Sequence, residues 1–172
     1  MKLLQGDCLE VMKEIPDGSV DMVLTDPPYG TTACKWDSVI PFEPMWEQLK
    51  RVTKKNGAIV MTASQPFTSA LVMSNVKMFK YDWVWEKPTA TGHLNAKKMP
   101  MRAHEEVLVF YKSLTVYNPQ KTKGHKPVNS YTKHTSDGDC YGATSLGISG
   151  GGSTDRYPRS VKLFSSDKQK SS

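Results

Sequence analysis

Apolar positions along the chain fall into two periods, and the alternation between them predicts most of the elements. Val20 to Leu24 is a short apolar run bounded by turn residues, the mark of a buried strand. Phe42, Met45, Trp46 and Leu49 recur at i, i+3, i+4 and i+7, which is one face of a helix with Trp46 in the core. Pro44 falls in its first turn, where proline is tolerated. Lys54-Lys55 suit the negative end of that helix dipole, and Asn56-Gly57 supplies a stop. Ala58 to Thr62 then reads as a buried strand. A strand, helix and strand in this order predict a crossover that leaves the two strands parallel neighbours. Ser64-Gln65-Pro66-Phe67 opens a further helix that ends near Asn75. Phe79, Tyr81, Trp83 and Trp85 alternate with Lys80, Asp82, Val84 and Glu86, a period of two that signals a strand closed by Lys87-Pro88. Val107 to Tyr111 is another strand.

The flanking regions are less regular. Lys2 to Gln5 has the pattern of a short strand ended by Gly6-Asp7. Leu9, Met12 and Ile15 follow near helical spacing until Pro16-Asp17-Gly18 stops them. Between the two later strands, Thr89 to Glu106 carries the basic loop Lys97-Lys98-Met99-Pro100-Met101-Arg102. Such a loop either holds phosphates through Lys97, Lys98 and Arg102 or is a solvated connector. From Lys112 to Arg159 periodicity fades, with Lys121, Lys123 and Lys126 interleaved with tyrosines. Gly142 to Ser153 is rich in glycine and serine and reads as flexible. Ser165 to Ser172 is a polar tail.

Composition narrows the class. A chain of 172 residues that is 38% apolar and 23% charged is globular and of single-domain size. Its apolar runs are far shorter than the ~20 residues of a membrane span, and the amino terminus lacks a signal-peptide pattern. Three widely spaced cysteines without a CxxC pair argue for a reducing cytoplasm and against a zinc site or a disulfide framework. No second metal-type residue stands at ligand spacing from His104. Charge is uneven. Residues 1–60 balance to −2 and residues 61–172 to +8, so a polyanion is the natural partner of the second part.

The chemistry concentrates at the end of the first apolar run. Asp26-Pro27-Pro28-Tyr29 follows Val20–Leu24 directly, where ligands bind in an open α/β sheet. Two prolines stiffen the loop and remove two backbone donors, so its carbonyls stay free. A carboxylate, a free carbonyl and an aromatic ring within four residues suit a planar ring bearing an exocyclic amine. The amine donates to Asp26 and to the Pro27 carbonyl, and the ring stacks on Tyr29. Two acceptors on one nitrogen stabilise the positive charge that grows on it during attack.

In this setting Asp26-Pro27-Pro28-Tyr29 resembles the catalytic motif of the amino DNA methyltransferases, and the order of segments resembles their β-group. The resemblance implies transfer of a methyl group from S-adenosylmethionine to DNA, and the Asp at the first position points to adenine N6 over cytosine N4. It implies double-stranded DNA as partner and a target-recognition segment within residues 112–155. Residues 1–111 would form part of the catalytic domain, and residues 156–172 a return segment and tail. Gly6-Asp7-Cys8-Leu9 resembles the segment whose aspartate accepts from the cofactor's adenine amine, with Asp7 and Cys8 as cofactor residues; Asp7 as a simple helix cap is the competing reading. Trp36, in the loop Gly30 to Asp37, either stacks on a base or folds back onto the core. The family's glycine loop, Phe-x-Gly-x-Gly, holds the methionine end of the cofactor and has no counterpart here, since Gly150-Gly151-Gly152 follows no apolar strand. The expected fold is therefore α/β, an incomplete Rossmann-like methyltransferase sheet with a basic, irregular recognition segment. The flank of the catalytic strand is expected to be an open apolar edge. The expected chain is a truncated remnant, a non-catalytic DNA-binding fragment, or one part of an enzyme completed by a second polypeptide.

Overall fold

A computed structural model describes residues 2–132 and 147–164. The chain divides into two compact units, Met1–Tyr117 with Ser160–Ser172, and Asn118–Arg159. The first unit opens on a one-turn helix α1 (Cys8–Val11) continued by a 3-10 turn, Met12–Glu14. It continues through β1 (Val20–Thr25), α2 (Phe42–Val52), β2 (Thr53–Ala63), α3 (Phe67–Ser74), β3 (Phe79–Thr91) and β4 (Arg102–Phe110). The second unit contributes two-residue strands β5 (Tyr131–Thr132) and β6 (Ser149–Gly150), which pair antiparallel. The first unit is then completed by β7 (Val161–Leu163).

The main sheet runs in the order β1-β2-β4-β3-β7. β1 and β2 are parallel, as the crossover through α2 requires. β4 returns antiparallel between β2 and β3, and β7 joins β3 in parallel at Val84 to Glu86. This is the expected α/β class, with residues 161–163 forming the last strand of the main sheet. The helices bury one face of it. Trp46 and Leu49 of α2 and Phe67 and Leu71 of α3 pack with Ile59, Met61, Leu108 and Phe110. Full burial of each large side chain contributes about 1.5–3 kcal/mol. The Trp46 indole N–H donates to Ser74 Oγ at 2.7 Å and joins the two helices.

Several boundaries differ from the periodicity reading. Lys2 to Gln5 is not a strand; Leu3 and Leu4 are exposed and no described strand pairs with them. α2 stops at Val52, and the Lys54 to Gly57 segment belongs to β2. The reason is local. Val20 pairs with Thr53 but Met22 with Ala58, so the intervening residues bulge out. Lys54 Nζ reaches Asp21 Oδ1 at 2.6 Å. A Cβ on Gly57 would lie 2.7 Å from the Asp21 carbonyl, so the glycine marks close strand approach and not a helix stop. β3 and β4 are longer than expected and shrink the basic loop to residues 92–101. Arg102 therefore lies on a strand. Of the stretch 142–153 expected to be flexible, residues 142–146 lie outside the described residues, as does the polar tail 165–172, while Ser149–Gly150 form β6 and pair with β5. Among the described residues no helix is long and apolar enough to cross a membrane.

Arg51 ties the amino-terminal turn to α2. Its guanidinium donates to the Ile15 carbonyl at 2.8 Å, the Met12 carbonyl at 2.6 Å and Asp17 Oδ1 at 2.5 Å. That fan fixes where β1 starts. β1 itself has only β2 beside it among the described strands, with Met22 and Leu24 exposed on it. The open apolar edge expected from the sequence is present.

Candidate active site

Thr25 ends β1, and Asp26-Pro27-Pro28-Tyr29 turns away at its carboxyl end. Pro27 is buried, Asp26 is exposed and the Tyr29 ring is half-buried. The Asp26 carboxylate is oriented through one oxygen. Tyr29 donates its hydroxyl to Asp26 Oδ1 at 2.8 Å, and the Thr62 hydroxyl donates to the same atom. No described donor reaches Oδ2, and no described group donates to the Pro27 carbonyl. One oxygen anchors the side chain while a second oxygen and a neighbouring carbonyl stay available as acceptors.

Phe67 backs one face of the Tyr29 ring, with centroids 5.2 Å apart and planes 22° apart. Burial pushes the Tyr29 hydroxyl well above the ordinary phenol range, the Asp26 carboxylate adds to the rise, and the Thr62 hydroxyl opposes it. Tyr29 is thus a neutral donor at physiological pH.

The loop after the motif is held by Asp37, a residue that no sequence signal singled out. Its Oδ1 accepts from the Gly30 N–H at 2.8 Å, and its Oδ2 accepts from the Thr31 and Thr32 N–H groups at 2.9 and 2.7 Å. The Thr32 hydroxyl, then these amides, hold its carboxyl at about 2, below the ordinary 3.8. Gly30 has φ +67°, a conformation that favours glycine. The result is a cavity of about 280 Å³ lined by Asp26 to Tyr29, Thr31, Thr32, Trp36 and Asp37. Trp36 is 73% exposed, which excludes its folding back onto the core.

Thr62 and Phe67 were also missed as site residues. Thr62 had a usable signal: parallel pairing of Thr25 with Met61 carries the end of β2 to the side of Asp26. The remaining candidates are not gathered here. Asp7 caps α1 by accepting from the Leu9 N–H at 2.8 Å through Oδ1; it and Cys8 are exposed. Lys97 and Lys98 are exposed on the turn between β3 and β4. The Arg102 guanidinium is engaged by Ser64 Oγ and the Gln65 carbonyl, so it anchors the start of α3. Lys121, Lys123 and Lys126 lie in the second unit, where the Lys121 ammonium sits 4.3 Å from the Tyr157 ring centroid.

Comparison with known proteins adds independent findings. A family model for DNA methylases of the N6/N4 type matches residues 20–162. The type II methyltransferase M1.MboII of Moraxella bovis is 26% identical over 123 residues, covering 65% of this chain and 46% of that protein. M.HinfI of Haemophilus influenzae is 25% identical over 132 residues, covering 62% of this chain and 36% of that one. The chain thus spans less than half the length of these curated relatives. Among solved structures, the cytosine-N4-specific PvuII DNA methyltransferase superposes with a TM-score of 0.56 at 13% identity over 95% of this chain and 56% of that one. The complex of M1.HpyAVI with SAM gives 0.51 at 19% identity, covering 72% and 60%. These superpositions establish a shared fold.

Proposed function

This chain belongs to the N6/N4 DNA methylase family, and on that premise we propose that it methylates adenine N6 in double-stranded DNA. The observation that carries the proposal is the half-occupied Asp26 carboxylate. With Oδ1 held by Tyr29 and Thr62, Oδ2 and the Pro27 carbonyl form a pair of acceptors fixed before substrate arrives. A target adenine flipped out of the duplex presents an amine with two N–H donors to that pair. Both bonds strengthen as positive charge grows on nitrogen, so they act on the transition state. Tyr29 and Trp36 supply the walls for the ring, with Phe67 supporting Tyr29 from behind. The proton leaves after methyl transfer, and no strong base is required.

S-adenosylmethionine, when bound, supplies an electrophilic methyl group. The described residues fit its adenosine end: Asp7 spends Oδ1 on its cap and keeps its other oxygen exposed as an acceptor for an amine, with Cys8 beside it. Phosphate contacts are assigned to Lys97 and Lys98 on the turn and to Lys121, Lys123 and Lys126 in the second unit, which we propose reads the target sequence. Arg102 contributes to DNA binding only through the position of its strand.

The open flank of β1 favours a second reading, in which another polypeptide supplies the methionine end of the cofactor pocket. Nucleoside analysis of DNA incubated with S-adenosylmethionine tests both. N6-methyladenine made by the chain alone supports the first reading. Product that forms only when the rest of a relative's length is supplied in trans supports the second. Methylcytosine as the product overturns the choice of adenine.

A further inference from the structure

The turn that opens α3 carries the ring behind Tyr29, and the first half of β4 clasps that turn. β2 and β4 pair as far as Ala63 and Glu106, after which the chain passes through Ser64, Gln65 and Pro66 into α3. Two side chains of β4 reach it. The Arg102 guanidinium donates to Ser64 Oγ and, at 3.1 Å, to the Gln65 carbonyl. Glu106 Oε2 accepts from the Thr68 hydroxyl at 3.1 Å. Arg102 and Glu106 are four residues apart on a strand, so they share the face of Leu108 and Phe110 that packs with the helices. Their contacts fall on either side of Phe67: Ser64 and Gln65 before it, Thr68 directly after it.

This arrangement is a poor device for stability alone. The Glu106 side chain is only 13% exposed, and its one other close polar neighbour is the His104 imidazole, with Nε2 3.9 Å from Oε1. Desolvating a carboxylate offsets most of what a single hydroxyl returns, and apolar residues of similar volume would hold the turn as well. Ser64, Phe67 and Thr68 are all buried. Apolar packing keeps Phe67 inside, against Phe42 at 5.9 Å between centroids, but it is non-directional. Hydrogen bonds on both sides of the ring add direction.

The contacts then run without a gap to the motif. Thr68 adjoins Phe67, the Phe67 ring stacks on Tyr29 at 5.2 Å, and the Tyr29 hydroxyl donates to Asp26 Oδ1 at 2.8 Å. We infer that Glu106 and Arg102 are positioning residues for transfer at Asp26, acting through the first turn of α3 and the Phe67 ring on Tyr29. Neither touches the substrate. The inference rests on the methylation reading, since it assigns the clasp a use in that reaction. A misplacement of about 1 Å in such a site costs on the order of a hundredfold in rate, so a distant clasp has a measurable effect.

The test uses the full chain and two readouts. One is the set of Tyr29 ring-proton resonances, assigned by their loss in Tyr29→Phe and displaced by the ring current of Phe67. The other is turnover on unmethylated genomic DNA with S-adenosylmethionine. Thr68→Val with Glu106→Leu replaces the polar contact by an apolar one. It should melt no lower than wild type, shift the Tyr29 resonances and lower kcat by about tenfold or more, with KM for S-adenosylmethionine unchanged. Glu106→Gln still accepts from the Thr68 hydroxyl and should recover most of that loss. Arg102→Met removes the other half of the clasp from an exposed side chain and should move both readouts the same way, even if the double variant fails to fold. Unmoved Tyr29 resonances in these variants overturn the clasp. Shifted resonances with unchanged turnover, or a Glu106→Gln chain as slow as the double variant, overturn the positioning role. Shifted resonances in a chain whose wild type makes no methylated base overturn the methylation reading, and the catalytic use of the clasp with it.

Discussion

Asp26 is held by one oxygen, and in the proposed reaction it accepts with the other; this division predicts distinct outcomes for its neighbours. Asp26→Ala removes the transition-state acceptor and should cost on the order of 3 kcal/mol, or about a hundredfold in turnover. Tyr29→Phe keeps the wall and removes one donor to Oδ1, so turnover should fall by about fivefold, at about 1 kcal/mol for a lost hydrogen bond. Steady-state kinetics on both variants would show whether the hydroxyl matters; an unchanged Tyr29→Phe enzyme contradicts the orienting role. Asp37 makes a pH prediction. Its folded value of about 2 lies below the ordinary 3.8, so its contribution is complete above about pH 4 and is lost as pH falls through 2. The amide resonances of Gly30, Thr31 and Thr32 should titrate with a midpoint near 2. A midpoint near 4 would show that these amides do not stabilise the carboxylate.

At the scale of elements, the strongest constraint is the close approach of β1 and β2. Gly57→Ala places a Cβ 2.6 Å from the Thr53 methyl and 2.7 Å from the Asp21 carbonyl, closer than real contacts allow. Denaturant unfolding should show a loss of about 1–3 kcal/mol, the cost of overpacking. Stability equal to wild type would mean that the bulge relaxes freely. The sequence made this region only partly legible. Asn56-Gly57 carries the composition of a helix stop, and periodicity carries no information about which carbonyl a glycine will meet across a strand pair. Phe42 to Leu49 and Phe79 to Glu86 were legible because burial of one face imposes their period. Lys2 to Gln5 was misread because a two-residue apolar run has no face to bury. In the site, Asp26 to Tyr29 stood out because a short motif carries its own chemistry, whereas Asp37 acts through backbone amides five to seven residues upstream and leaves no spacing rule. The same locality explains Arg102: a basic run in sequence does not show that one of its guanidiniums is drawn to Ser64 and Gln65.

For the whole molecule, charge and topology act together. The basic excess lies after residue 60, including the turn between β3 and β4 and the second unit, while the motif lies in the first part, which carries a charge of −2. DNA affinity should therefore fall steeply with salt, and Lys97→Ala with Lys98→Ala should reduce the slope of log K against log salt by about 2 if both touch phosphate. An unchanged slope removes that turn from the interface. The measurement that bears most directly on the central claim is mass-spectrometric analysis of nucleosides from unmethylated duplex DNA incubated with the chain and S-adenosylmethionine, with Asp26→Ala in parallel. The expected result is N6-methyladenine from the wild-type chain and about a hundredfold less from the variant. Methylated cytosine, no methylated base, or equal N6-methyladenine from both proteins would contradict adenine methylation through Asp26.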